Sequence, residues 1–173
     1  MKFENALTQT MAGGVTVLEL GRDTGLVLRK AGEQVRLCKE FALGMDGLVR
    51  HCLSHEPPWP VELEHAIDLT EEAVMPLASQ FAGTHRLVLQ GVGANLIANT
   101  LQASGISQTV LTLDDVEELF NRLVAVSQGR PASQEKLPTD VYFFGALLIL
   151  REFMHHLRIA EVALPSNAPN IPI

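Results

Sequence analysis

Short apolar runs separated by turn-forming residues fill the first part of the chain. Residues 15–20, 25–29 and 34–39 are rich in β-branched and aliphatic side chains, and glycine, arginine and aspartate lie between them. This spacing predicts three short strands joined as a meander. The first turn, Gly21-Arg22-Asp23-Thr24, offers backbone amides and a hydroxyl at one point, so it is a candidate anion-binding loop.

Beyond the meander, the apolar residues recur at helical spacing. Helices are predicted at 44–54, 60–81, 94–101, 112–127 and 141–153, strands at 87–89 and 159–164, and a loop at 129–138. Pro76 is expected to kink or split the second of these helices. The acidic pairs Glu71-Glu72 and Asp114-Asp115 are expected in first turns of helices, where they would complement the helix dipole. Five strands with helices between the later ones predict a mixed α/β sheet.

Composition favours one folded domain. The chain has 173 residues, of which 47% are hydrophobic, so it can bury about two-thirds of its unfolded surface. We expect a lead-in segment at 1–14, a domain at 15–166 and a proline-rich tail at 167–173. No apolar run reaches the roughly 20 residues of a membrane span, and the polar start MKFENALTQT lacks a signal-peptide pattern. These features predict a cytoplasmic protein without a membrane partner.

Charge and cysteine usage narrow the functional classes further. A net charge of −7 argues against a nucleic-acid partner, because binding a phosphate backbone needs a concentrated positive surface. The same charge weakens the case for a long polyphosphate ligand. Cys38 and Cys52 have neither a redox nor a zinc spacing, and are expected to be free, packed thiols.

Four stretches, taken in order, resemble the exopolyphosphatase and guanosine pentaphosphate phosphatase family of the actin-like ATPase superfamily. They are ELGRDTGL at 19–26, ALGMDGLVRHC at 42–52, LVLQGVGANLIA at 87–98 and LPTDVYFFGALLILREFMHHLRIAEVALPS at 137–166. The resemblance implies a ribonuclease H-like sheet of order 3-2-1-4-5, with strand 2 antiparallel and helices on both faces. It covers only the second of the family's two domains, so half of an active site is expected to lie outside this chain.

The resemblance also implies where a phosphate and a metal would bind. In the family, a glycine-rich hairpin tip approaches phosphate, and two acids help to hold a divalent metal such as Mg²⁺. Glu19 stands in the place of the aspartate, while the second acid falls on Gly25 or Leu26 and is lost. Arg22 and Asp23 replace glycines, which adds bulk, although Arg22 could itself bind an anion. An ordinary hairpin turn explains the same residues.

A second candidate anion site is Gly91-Val92-Gly93, where the family has Gly-Gly-Thr before a helix. Two glycines at a strand-to-helix turn can present amides to an anion, but close packing of a helix on a strand requires the same residues. Both explanations remain open.

The histidines do not predict a metal site. His155 and His156 are adjacent on a helix and so point about 100° apart, and His51 and His55 lack a supporting acid.

The sequence as a whole supports two functional hypotheses. The chain is either a degenerate, non-catalytic binding or assembly domain that pairs with a second copy, or a phosphohydrolase in which Glu19 and Thr24 organise metal and phosphate and another subunit supplies the remaining acid. In a weaker third hypothesis, the partner is a separate first-domain protein.

Overall fold

A single mixed sheet forms the frame of the molecule. The structure, a computed structural model, describes residues 14–81, 83–84 and 86–165. The strands are β1 (Val15–Leu20), β2 (Gly25–Ala31), β3 (Gln34–Phe41), β4 (Arg86–Gln90), β5 (Val110–Thr112) and β6 (Glu161–Ala163). Their order is β3-β2-β1-β4-β6-β5. β2 is antiparallel to β1 and β3, β4 is parallel to β1 and β6, and β5 is antiparallel to β6.

The predicted sheet is confirmed, with one correction. Its order and the antiparallel second strand agree with the structure, but the described residues form six strands and not five. The addition is β5, which pairs with β6 at the sheet edge through Val110, Leu111 and Thr112. Three residues are too short to show a β period in the sequence, and this strand exists because β6, about 50 residues later, supplies its partner.

The helices are α1 (Met45–His51), α2 (Pro60–Val74), α3 (Gly91–Ala103), α4 (Leu113–Ser127), α5 (Ala132–Glu135) and α6 (Val141–Leu157). As predicted, Pro76 ends the long helix: α2 stops at Val74 and a 3₁₀ turn follows at Met75–Leu77. The predicted loop at 129–138 contains α5, which is a correction. Glu71 and Glu72 lie in the last turn of α2, not in a first turn, whereas Asp114 and Asp115 do lie in the first turn of α4.

The core is built around α6. All residues from Phe143 to Leu150 are buried, so this helix is enclosed on every side along that stretch. It packs against α1, α2, α3 and α4. β1 is also covered on both faces, because Val17 and Leu18 point to opposite sides and both are buried. Burial of this extent explains why no polar side chain occurs from Phe143 to Leu150.

Glu62 fixes the start of α2. Its carboxylate accepts hydrogen bonds from the Trp59 amide at 2.8 Å and the Ser54 amide at 3.0 Å, and lies 2.9 Å from Nδ1 of His55. Burial alone would raise the pKa of Glu62, but the hydrogen bonds from His55, Trp59 and Ser54 outweigh it and lower the pKa. His55 therefore contacts the carboxylate that caps the start of α2. It lies outside α1, so it does not form a pair with His51 on one helix.

Both cysteines are free, as predicted. Cys52 is buried, and burial, followed by the nearby Glu62 charge, raises the pKa of its thiol. Cys38 is exposed on β3, which corrects the expectation of a packed thiol. None of the described helices combines the length and apolar character that crossing a membrane requires. Most of the predicted lead-in and the whole tail lie outside the described residues.

Candidate functional site

The two candidate anion loops lie together at one end of the sheet. β1 and β4 are parallel neighbours, with Glu19 opposite Gln90. The tip at 21–24 and the turn at 91–93 therefore leave the sheet at the same end, where these two strands finish. In open α/β sheets, ligands bind at the carboxyl ends of the strands. The topology therefore places both sequence-predicted segments where a phosphate site would be expected.

The hairpin tip is closed on itself. The Gly21 amide donates a hydrogen bond to the Thr24 carbonyl at 3.1 Å. A Cβ at Gly21 would lie 2.7 Å from that oxygen, so the tight turn requires glycine. The side chains of Arg22, Asp23 and Thr24 are exposed around this turn. One of the amides expected to face an anion is thus used inside the hairpin.

The start of α1 closes the tip from the other side. The Asp46 amide donates to the Arg22 carbonyl at 2.8 Å, and the Met45 amide lies 3.4 Å from the Gly21 carbonyl. Gly44 permits this contact, since a Cβ there would lie 2.1 Å from the Arg22 carbonyl oxygen. The tip therefore presents carbonyls to the amides of α1, whereas a phosphate cradle presents amides to an anion.

Ion pairs engage the charged side chains around the tip. Arg22 Nη1 lies 3.5 Å from Asp46 Oδ1, and Arg50 Nη2 lies 3.9 Å from Asp23 Oδ1. The Arg22 guanidinium also lies over the Tyr142 ring, 5.4 Å from its centroid. Arg22 keeps about half of its side chain exposed, so it remains able to meet an anion from solvent.

Glu19 is exposed at the end of β1, beside Gln90. Two carboxylates beside the tip, Asp23 and Asp46, face Arg50 and Arg22. In the part of the chain that the structure describes, the one group of three side chains suited to a metal lies elsewhere, at Glu71, Glu152 and His156. Across the strands, Glu19 is in register with Leu26 and, one strand further, with Glu40, so a second exposed acid lies at this end of the sheet.

Packing accounts for both glycines of the second candidate. Gly91 has φ +90°, and a Cβ there would lie 2.8 Å from the Leu20 carbonyl oxygen. A Cβ at Gly93 would lie 2.7 Å from Cγ and Cδ2 of the Leu20 side chain. Val92, between them, is half exposed. The start of α3 therefore rests directly on the end of β1, and a ligand is not needed to explain either glycine.

Sequence reasoning missed the residues that close the site. The two loops are contacted by Leu20, Gly44, Asp46 and Tyr142. All four lie in the stretches that resemble the phosphatase family, but the sequence analysis did not single them out as site residues. A further signal was Gly44 immediately before an apolar helix, which is typical of a close approach between backbones.

The mixed sheet of order β3-β2-β1-β4-β6-β5 has the ribonuclease H-like fold. Among solved structures, the chain is similar to a Ppx/GppA phosphatase of Aquifex aeolicus, with 14% identity and a TM-score of 0.67, over 87% of this chain and 52% of that one. It is also similar to an exopolyphosphatase-like protein, with 11% identity and a TM-score of 0.64, over 86% of this chain and 54% of that one. An exopolyphosphatase of Cytophaga hutchinsonii matches with 14% identity and a TM-score of 0.57, over 88% of this chain and 54% of that one.

These similarities establish the fold and its extent. The chain spans about half the length of each solved structure that it matches, which agrees with the predicted likeness to one domain of a two-domain phosphatase. No protein-family model matches the sequence, and no curated protein matches it either.

Proposed function

We propose that this chain is an exopolyphosphatase-related domain that acts in binding or assembly and does not hydrolyse phosphoanhydrides by itself. The observation that carries the proposal is the closed hairpin tip, whose carbonyls accept hydrogen bonds from the start of α1. Phosphoryl transfer depends on positioned donors, a metal and a water-activating group acting together. At this end of the sheet the chain supplies Glu19 and a partly exposed Arg22, while the two acids beside the tip, Asp23 and Asp46, face Arg50 and Arg22.

Weak anion binding is compatible with this role. Arg22 and Thr24 are exposed at the tip, and a guanidinium can bind phosphate by charge-assisted hydrogen bonds. The closed tip would have to open before the backbone could contribute. We therefore expect any phosphate affinity to depend on side chains, chiefly Arg22.

The partner that the proposal favours is a second copy of the chain. The similar phosphatases are about twice as long as the matched region, and Val92 leaves an apolar side chain half exposed beside the two loops. A two-fold pair could cover this edge of both copies, because an isologous interface uses the same surface twice. A separate protein carrying the other domain is the alternative partner.

Light scattering tests the assembly role. At high micromolar concentration we expect the mass of two chains, and we expect Val92→Asp to reduce it toward one. Val61→Asp is the matched control, because Val61 is also exposed but lies on α2, away from the loops. A single-chain mass at that concentration, or equal effects of the two variants, would exclude a self-association through this edge.

A second function is favoured by the position of Glu19. This acid is exposed at the sheet edge where ligands bind in α/β folds, next to the parallel strand that leads into the glycine turn. If another subunit supplied the missing acid, Glu19 and Thr24 could organise Mg²⁺ and phosphate for hydrolysis of polyphosphate or guanosine pentaphosphate. If this second function is correct, the chain hydrolyses one of these substrates and Glu19→Gln abolishes the hydrolysis.

A further inference from the structure

Three metal-ligating side chains converge where the ends of α2 and α6 meet. Glu152 and His156 are one helical turn apart on α6, and Glu71 comes from the last turn of α2. His156 Nε2 lies 3.3 Å from Glu152 Oε2 and 3.4 Å from Glu71 Oε1. The three ligand atoms all lie within 4.8 Å of one another. Two carboxylates and one imidazole therefore face a common point.

Two of these atoms are buried without a hydrogen-bond partner. The Glu152 side chain is 1% exposed, yet its Oε2 makes no hydrogen bond. The His156 Nε2 atom is also buried and also makes no hydrogen bond. A buried carboxylate oxygen normally has a partner, because it has lost its hydrogen bonds to water and needs a replacement for them. The 3.3 Å approach of His156 does not satisfy it. The geometry thus leaves a polar, enclosed point that an additional group could occupy.

The separations fit a metal better than a hydrogen bond. Zinc binds histidine nitrogen and carboxylate oxygen at about 2.0–2.2 Å, so two ligand atoms of a tetrahedral site lie about 3.4 Å apart. An N–H···O hydrogen bond would instead bring nitrogen and oxygen to about 2.9 Å. The observed 3.3 and 3.4 Å match the ligand separation.

The net formal charge around this point also favours a bound cation. Around the convergence point lie the carboxylates of Glu71, Glu152 and Glu117, and within the described residues the guanidinium that contacts them is that of Arg151. The formal charges of these three carboxylates and one guanidinium sum to −2, which a divalent cation would balance. Arg151 also holds the other oxygen of Glu152, as outer partners of metal ligands commonly do.

We propose that Glu71, Glu152 and His156 form a binding site for a divalent transition-metal ion of the zinc type. The site would clamp the end of α2 to the end of α6 and leave at least one coordination position for water. It is independent of the function proposed above: His156 and Tyr142, which contacts the hairpin tip, are separated by about 20 Å along α6.

Titration of untagged, chelator-stripped protein with Zn²⁺ tests the site. We expect one zinc ion per chain, and we expect Glu71→Gln and His156→Gln each to weaken binding at least tenfold. His155→Gln is the matched control, since His155 is adjacent and over half exposed but faces Glu117, which is not one of the three proposed ligands. It should bind zinc as the unmodified chain does. Replacement of zinc by Co²⁺ should give a visible absorption spectrum that His156→Gln alters and His155→Gln does not.

The contrary results are equally clear. Absence of stoichiometric zinc binding, unchanged affinity in both site variants, or an equal loss in His155→Gln would overturn the proposal. Circular dichroism establishes that each variant is folded. If His156→Gln does not fold, Glu71→Gln decides the matter, because Glu71 lies at the partly exposed rim.

Discussion

Gly91→Ala is expected to lower the free energy of unfolding by about 3 kcal/mol. Two costs combine at this residue. Its φ of +90° strains any residue with a side chain by about 1–3 kcal/mol. In addition, the new Cβ would lie 2.8 Å from the Leu20 carbonyl oxygen, and relieving an overpacked contact costs about 1–3 kcal/mol more. Urea denaturation followed by circular dichroism measures the difference.

Gly105→Ala separates the two costs. Gly105 has a similar φ of +82°, but nothing lies within 4 Å of a Cβ built there. This control should therefore lose only the conformational part, about 1 kcal/mol. Equal losses in the two variants would show that α3 does not rest on β1 as described, and would reopen Gly91 as a ligand-binding glycine.

Arg151→Ala should destabilise the protein by about 3 kcal/mol. Arg151 contacts Glu152, whose side chain is fully enclosed, and its Nε lies 3.0 Å from Glu117 Oε2. Burial opposes the charge on Arg151, but Glu152 and Glu117 outweigh that effect and raise its pKa. Removing one partner of a buried ion pair leaves the other charge uncompensated, which costs about 3–5 kcal/mol. Chemical denaturation in the presence of a chelator measures the loss without any metal contribution.

Arg130→Ala is the matched control for this prediction. Arg130 also pairs with a glutamate, Glu135, but over half of its side chain is in solvent, so the loss should be below about 1 kcal/mol. Adding Glu152→Leu to Arg151→Ala should restore part of the stability, because it removes the stranded charge. A double variant less stable than Arg151→Ala, or an Arg151→Ala loss no larger than that of Arg130→Ala, would show that Glu152 is not held as a buried charge.

Local patterns predicted most of the frame. The meander, the apolar α6 and the break at Pro76 all follow from residue spacing and turn chemistry, since each depends on neighbours in the sequence. The strand order came from the family resemblance, because pairing between distant strands leaves no local pattern. β5 was missed for that reason: Leu111 belongs to a strand only because Val162 lies opposite.

In the candidate site, too, local features could be predicted from the sequence, whereas contacts between distant residues could not. The tip and the glycine turn were recognisable as possible anion loops, but their closure depends on contacts across the fold, such as the Asp46 amide on the Arg22 carbonyl. The cluster of Glu71, Glu152 and His156 was harder to predict from the sequence. Glu152 and His156 are one turn apart in the sequence, but Glu71 lies on another helix 81 residues before Glu152, and only the packing of α2 on α6 brings them together.

Release of inorganic phosphate by the isolated chain tests the central claim most directly. Long-chain polyphosphate and guanosine pentaphosphate are incubated with the chain and Mg²⁺, and the unmodified chain is compared with Glu19→Gln. Because the tip is closed and the two acids beside it face arginines, we predict no release above the buffer blank for either protein. Sustained turnover by the unmodified chain that Glu19→Gln abolishes would contradict the claim and establish a working phosphohydrolase.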